Sequence, residues 1–470
     1  MYLKYYLISI LAAFKLLAKL DHTNIILIMT DDQGWGQMGY MNHPVLKTPN
    51  LDKMAANGLR FDRFYAGGPV CSPTRATVLT GRTHDRTGVF DHGYALRLQE
   101  KTLSQALKHQ GYATGHFGKW HLNGLRGPGV PVLKSYPNGP SAFGFDQWIS
   151  VTNFFDLNPI MSRNGKFEEM EGDSSEIIVE EALSFIRKST REGTPFFCAI
   201  WFGTPHSPFM ALERDLSDFK GLTKESMMHH AELKAMDRSI GSLRKSLRSM
   251  KIQNDTLVWF MSDNGGLPKI VPRTTGRLRD YKGSLYEGGI RVPAIIEWPS
   301  KLKHSRISFY PAGAVDIFPT IAEITGLPAG ASIKPQDGQS LVPIFGKNKI
   351  NRTKPLIFSS RDRMAIIDNQ WKLLSLPSGN DTVYELYDLS KDSAEKINVI
   401  NDFPLIYQRL QKYLTTSKLS ISKSKEGKDY LKKMVDKQPP RIFWTDVPAY
   451  KKYFKQWEIR PEYRSRLNKK

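Results

Sequence analysis

Three short apolar runs constrain this chain more tightly than anything else in it. Asn24–Met29 reads NIILIM, Phe196–Phe202 reads FFCAIWF and Thr256–Met261 reads TLVWFM. None alternates apolar with polar residues, so neither face of such a strand is meant for water. Strands of that kind belong to parallel sheets covered on both faces. Each run stops at a polar turn carrying Gly or Pro, the first at Thr30-Asp31-Asp32-Gln33-Gly34. Helical patterns lie between the runs. Asp173 and Glu176 are spaced as a capping box ahead of Ile178, Ala182, Phe185 and Ile186. Met236, Ile240, Leu243 and Leu247 form the apolar stripe of a long basic helix. Leu103 and Leu107 precede Gly111, a natural helix stop. Strands alternating with helices predict an α/β fold, a doubly wound, mixed but mainly parallel sheet flanked by helices. Its ligands belong beyond the carboxyl ends of the strands.

The pattern changes after Lys347. Met364–Ile367, Trp371–Leu374 and Tyr384–Leu389 read as short strands and Pro404–Leu414 as a helix, which predicts a small C-terminal antiparallel sheet with one helix. The predicted organisation is a leader over 1–20, a catalytic α/β domain over 21–347, an α+β subdomain over 348–420 and a basic aromatic tail over 421–470. In the leader, Lys4 precedes an apolar run from Tyr5 to Phe14, the pattern of a signal peptide. It is too short to span a bilayer, and it predicts export to the periplasm or the extracellular space with no stable membrane insertion once removed; Lys15 interrupts the run and no clean small-x-small cleavage site follows, so a short membrane-peripheral anchor or an unprocessed leader is the competing reading. With 40% hydrophobic and 24% charged residues the chain is a folded globular protein rather than a disordered one. Two cysteines in 470 residues exclude a disulfide scaffold.

The formal net charge of +21 describes partners, because a basic surface concentrates anions. No zinc-finger spacing, RNP-like strand or basic heptad region is present, so an anionic small molecule or polymer is expected and nucleic acid is not. From Arg441 to Lys470 nine Lys or Arg stand against three Asp or Glu, interleaved with Trp444, Tyr450, Tyr453, Phe454, Trp457 and Tyr463. Two readings compete for this tail: aromatics packing it onto its own domain, or a surface that holds an anionic polymer.

The chemistry concentrates in Cys71-Ser72-Pro73-Thr74-Arg75-Ala76-Thr77-Val78-Leu79-Thr80-Gly81-Arg82. Pro two residues after Cys71 permits a helix to begin there, and a nucleophile at a helix N-terminus faces free N–H groups and the positive end of the dipole. Arg75, one turn on, can share a face with Cys71 and aim a guanidinium at an oxyanion. Asp31 and Asp32 end one strand, and Asp263 and Asn264 end another, so four hard oxygen donors can converge on one cation. Turn formation is the competing role for both pairs. Lys119 and His121 alternate along an extended stretch and so would point from one strand face.

C-x-P-x-R followed by A-x-x-L-T-G-R resembles the first signature of the type I sulfatases, and Gly111–His121 (GYATGHFGKWH) resembles the second. The resemblance runs from about Asn24 to Leu389 and includes the closing E-L-Y-D-L. It implies an alkaline-phosphatase-like fold and conversion of Cys71 to formylglycine (3-oxoalanine) by a maturation enzyme. One hydroxyl of the hydrated aldehyde would attack sulfur, and the other would expel sulfate from the covalent intermediate. It further implies a Ca²⁺, with Mg²⁺ the other hard candidate, on Asp31, Asp32, Asp263 and Asn264 together with the residue at position 71. Lys119 would bind sulfate oxygens, and His121 would assist deprotonation of the second hydroxyl. His206 and Lys282 would bind sulfate and protonate the leaving alkoxide, with Arg75 completing the site. The implied substrate is a sulfated carbohydrate of carrageenan or glycosaminoglycan type, which His92, Arg126, Arg273 and Arg277 could contact from loops. Two alternatives stay open: a phosphate or phosphonate monoester hydrolase on the same fold, and a non-catalytic binder of sulfated glycans in which Cys71 stays a thiol.

Overall fold

The computed structural model describes residues 22–346 and 351–468. The leader assigned to residues 1–20 lies outside the described residues. A large twisted sheet runs through the molecule in the spatial order Arg306–Ser308, Leu59–Tyr65, Arg291–Glu297, Thr256–Ser262, Asn24–Thr30, Phe196–Trp201, Ala113–Lys119, Gln147–Val151, Ile160–Arg163, Lys166–Glu169. The five strands from Thr256–Ser262 to Gln147–Val151 are mutually parallel, and the flanking strands on both sides add antiparallel pairings. This is the mixed, mainly parallel sheet expected from the apolar runs.

Why those runs are unbroken is visible in the core. Ile25, Leu27 and Met29 enter one apolar cluster, with Leu103 and Leu107, while Ile26 and Ile28 enter another on the opposite face. That second cluster is closed by the helices Ser174–Arg191 and Lys224–Ser249. Asp173 caps the first of these helices by accepting from the N–H groups of Ser175 and Glu176. The reciprocal half of the capping box is not formed. The Glu176 carboxylate is drawn away by two guanidiniums, with Arg214 at 2.7 Å and Arg238 at 2.8 Å, because charge-assisted pairs outcompete a backbone N–H.

The C-terminal sheet has four antiparallel strands, Leu356–Ser360, Arg363–Asp368, Trp371–Ser378 and Asp381–Asp388. The first was not expected from sequence. The following helix covers Pro404–Lys425, longer than the Pro404–Leu414 stretch expected and running through the boundary drawn at residue 420. Lys372 joins this sheet to the large one: its ammonium is buried between Glu287 at 3.0 Å and Glu395 at 2.7 Å. Lys372→Met leaves the buried Glu395 without its cation and Glu287 with Arg291 alone, at 3.3 Å. It should cost about 3–5 kcal/mol, the usual penalty for removing one partner of a buried pair, and lower the melting temperature. A melting curve superposing on that of the parent would show that the ion pair does not hold the sheets together.

The tail packs. Trp444, Tyr450, Trp457 and Tyr463 are buried with Leu125, Val130 and Ile160 in one cluster. The Tyr450 hydroxyl donates to Pro131 O at 2.7 Å and the Tyr463 hydroxyl to Gly129 O at 2.8 Å. The aromatic half of the tail therefore follows the packing reading. Among the described residues no helix is long and apolar enough to cross a membrane.

Candidate active site

The ends of the parallel strands bring the polar residues together. Asp31 and Asp32 directly follow Asn24–Thr30, and Asp263 and Asn264 directly follow Thr256–Ser262. Backbone bonds extend the ladder past the strand ends: Asp263 N donates to Thr30 O at 3.0 Å and Asp31 N to Thr204 O at 2.9 Å. The carboxylates are thereby held side by side. Asp31, Asp32, Asp263 and Asn264 are all fully buried.

Cys71 opens the helix Cys71–Thr80, preceded by Val70 in extended conformation with no side-chain cap, so the first N–H groups are left for another acceptor. Gly81 closes the helix at φ 65°. The Cys71 thiol donates to Asp31 Oδ1 at 3.3 Å. Burial pushes this thiol well up, and the charge of Asp31 adds to the shift, so it stays protonated and is a poor nucleophile as it stands. One turn on, Arg75 is fully buried. Its guanidinium donates to Asp263 Oδ2 at 2.7 Å and to Lys119 O at 2.9 Å and stacks over Trp201 at 5.3 Å, leaving Nε without a partner. Two of its donors are thus committed to the protein rather than aimed at a bound oxyanion.

The second motif is built differently from expectation. Lys119 ends its strand and its ammonium pairs with Asp31 Oδ2, whereas His121 lies beyond the strand at φ 53° in the left-handed region. The two side chains do not project from one strand face, because the backbone turns between them. A histidine in that conformation is strained, and such strain is characteristic of functional sites. Both ring nitrogens of His121 are buried without a partner. Ser72 pins the turn by donating to His121 O at 2.7 Å while accepting from Gly93 N at 2.8 Å. Gly118 lies at φ 111°, and a Cβ there would stand 1.9 Å from Trp201 O, which accounts for the glycine ahead of Lys119.

Lys282 reaches both oxygens of Asp32, at 2.6 Å and 2.7 Å. The His206 ring stacks on Phe154 with centroids 4.7 Å apart and planes 6° apart, and its Nε2 lies 3.7 Å from Asp32 Oδ2. Its Nδ1 faces Ser207 O at 2.5 Å, so that nitrogen carries the proton.

These neighbours divide the carboxylates. Burial would raise Asp31, but Lys119, His206, Arg75 and Lys282 together hold it well below the usual carboxylate range. Burial and the charge of Asp31 push Asp263 up to about 7. Burial, reinforced by Lys282, lowers His206 to about 4. Burial, with Lys119 and Arg75, lowers His121 well below the ordinary histidine range.

A cavity of about 630 Å³ opens above this cluster, with Cys71, His121, His206 and Lys282 at its base. Of the loop residues proposed as substrate contacts, His92 and Arg126 line it. Arg273 and Arg277 do not. Arg273 donates to Thr275 Oγ1 at 3.1 Å and Leu278 O at 2.8 Å and so braces its own loop, while Arg277 bonds Ser393 Oγ at 3.2 Å and covers Trp35, tying that loop to distant segments. Phe154, Arg361, Phe443 and Arg466 line the cavity as well, and no sequence signal marked them.

Residues 23–327 match the family described as Sulfatase, and residues 279–424 match that described as N-sulphoglucosamine sulphohydrolase, C-terminal. The N-acetylgalactosamine-6-sulfatase of Sus scrofa is 31% identical over 383 residues, 74% of this chain and 71% of the relative. Arylsulfatase A of Homo sapiens is 28% identical over 438 residues, 80% and 83% of the two chains. Among solved structures, Ps i-CgsB shares the fold with a TM-score of 0.75 at 24% identity over 95% of this chain and 100% of the other, and it has also been solved in complex with k-i-k-neocarrahexaose.

Proposed function

The chain belongs to the sulfatase family and is a sulfuric ester hydrolase; on that premise we propose that it removes sulfate from a sulfated carbohydrate, working through a formylglycine at position 71 and a divalent cation. The observation that carries this reading is the convergence itself: ligand atoms of Asp31, Asp32, Cys71 and Asp263 all lie within 4.8 Å of one another.

The donor set suits a hard cation. Three carboxylates are present, and the buried Asn264 Oδ1 has no partner of its own. Asp31, Asp32, Asp263 and Asn264 would hold Ca²⁺ or Mg²⁺, with the residue at position 71 as a further ligand. When bound, the ion polarises a sulfate oxygen and favours the attacking oxyanion. The aldehyde hydrate supplies one hydroxyl to attack sulfur and a second to expel sulfate. The remaining work falls to ordinary side chains. Lys119 and Lys282 place ammonium groups against the carboxylates, where sulfate oxygens would lie. His121, with both ring nitrogens unpartnered, takes the proton of the second hydroxyl. His206 and Lys282 face the leaving oxygen, and Arg75 fixes Asp263 and the Lys119 backbone. The carbohydrate reading draws support from the net charge of +21 and from the complex of the similar Ps i-CgsB with k-i-k-neocarrahexaose. Export through the leader, and maturation of Cys71 by a dedicated enzyme, complete this proposal.

A sulfate-release screen over defined sulfated saccharides, with matched aryl sulfate and aryl phosphate, tests it. Release of sulfate from saccharides, with the aryl sulfate turned over faster than the phosphate, is expected. Preference for the phosphate would overturn the assignment.

A further inference from the structure

The cavity above Cys71 has a cationic wall that the reaction proposed above does not use. Arg126, Arg361, Phe443 and Arg466 form this wall, and they come from three distant parts of the chain. Ile442–Phe443 runs parallel to Leu125–Arg126 with Phe443 opposite Arg126, so the tail is stitched to the loop that follows His121. The Arg126 guanidinium lies 4.6 Å from the centre of the Phe443 ring and that of Arg466 lies 4.0 Å from it. Phe443 is thus a shelf for two guanidiniums. The buried Trp444, Tyr450, Trp457 and Tyr463 lock the tail, and with it the short helix Pro461–Leu467 that carries Arg466.

These charges are not neutralised from within. Among the described residues no carboxylate pairs with Arg126, Arg361 or Arg466. The Asp91 carboxylate, also on the cavity wall, is taken up by His92, whose N–H lies at 2.7 Å and whose ring nitrogen lies at 3.1 Å. Arg441 adds to the field while its Nε donates to His92 O at 2.8 Å. A guanidinium stacked on a ring keeps its N–H edge free and presents it as a planar fork, the geometry that receives a sulfate or carboxylate through two bonds. Unpaired cations on the wall of a cleft also focus the field into it.

We propose that this wall is an anion subsite: the substrate carries a second anionic group, sulfate or carboxylate, beside the ester that is cleaved, and Arg126, Arg361 and Arg466 hold it. The tail is then a specificity element rather than packing alone. The inference rests on the sulfatase reading for the position of the scissile ester, but the subsite can be measured without turnover.

The test uses the full-length chain with Arg361→Gln, Arg466→Gln and the double variant. Arg361 is exposed and has no side-chain partner among the described residues, so its substitution removes nothing from the fold. The probe is a carrageenan hexasaccharide bearing several sulfates. Its affinity is measured by calorimetry at low and high salt, and its KM is compared with that for p-nitrophenyl sulfate. Each variant should weaken hexasaccharide binding about tenfold or more, as expected for loss of a hydrogen bond to a charged group. The salt dependence should flatten, and KM for the aryl sulfate should rise far less than KM for the hexasaccharide. Arg466→Lys should recover part of the affinity. Equal losses on both substrates, or loss confined to Arg466→Gln together with a lowered melting temperature, would overturn the subsite in favour of a structural role. Weakened binding in the variants, with a parent that binds the hexasaccharide but releases no sulfate from any ester, would leave the subsite standing and reject the sulfatase mechanism.

Discussion

Cys71→Ala is expected to abolish sulfate release, by about 10⁴-fold or more, the scale on which loss of a covalent nucleophile is felt. The protonated thiol of the unmodified chain cannot serve instead. Burial and Asp31 hold it in the neutral form, and one sulfur lacks the second oxygen needed to expel sulfate. Cys71 is also only 2% exposed and forms the first residue of a wholly buried helix, so the proposed conversion would be favoured before the fold is complete. Peptide mass spectrometry across Cys71 should therefore find the aldehyde in protein from an active culture. It should find only thiol at Cys198, which is buried in the apolar cluster on one face of the sheet, where burial alone pushes its thiol up. A fully active preparation in which Cys71 is wholly unmodified would end the formylglycine assignment.

Asp263 supports the second large effect. Its Oδ2 accepts from Arg75 at 2.7 Å while its Oδ1 accepts from Asp32 N at 3.2 Å, so the carboxylate ties the helix of Cys71 to both aspartate-bearing strand ends. Asp263→Asn keeps the shape and removes the charge. Metal content should fall towards zero, and activity should fall by about 100-fold or more, since a cation at developing charge contributes several kcal/mol. The parent should gain melting temperature on titration with Ca²⁺ and the variant should not, because an ion that binds only the folded state stabilises it by RT ln(1 + L/Kd), where L is the free ion concentration. Asp263→Ala is the harsher test. It leaves Arg75 buried without its carboxylate and should lower the melting temperature even without metal. Full activity after exhaustive chelation would exclude the metal.

Much of this was legible in local sequence because the signals are themselves local. Unbroken apolar runs force two-sided burial, which predicts the parallel sheet, and ligands collect beyond strand ends, which places Asp31, Asp32, Asp263, Asn264 and His206 without any knowledge of the rest of the chain. Cys71 and Arg75 lie one turn apart on a helix, so their proximity follows from its pitch. What resisted was direction and long-range contact. The turn that takes His121 out of line with Lys119 depends on Ser72 and Gly93, which approach only in the folded chain. The arginines in loops look equivalent as letters, yet Arg273 and Arg277 are drawn to Leu278 O and Ser393 Oγ while Arg126 lies over Phe443 at the cavity with no carboxylate partner among the described residues. The tail carried two readings because composition cannot say which face of a segment is buried. Packing of Trp444, Tyr450, Trp457 and Tyr463 settled that these aromatics face inward, and in doing so it brought Phe443 and Arg466 to the cavity that Cys71, far away in sequence, also lines. Periodicity along the chain determined the sheet and its polar strand ends. Which cations face the cavity was decided only by tertiary packing, since a loop side chain takes its direction from partners that no local propensity specifies.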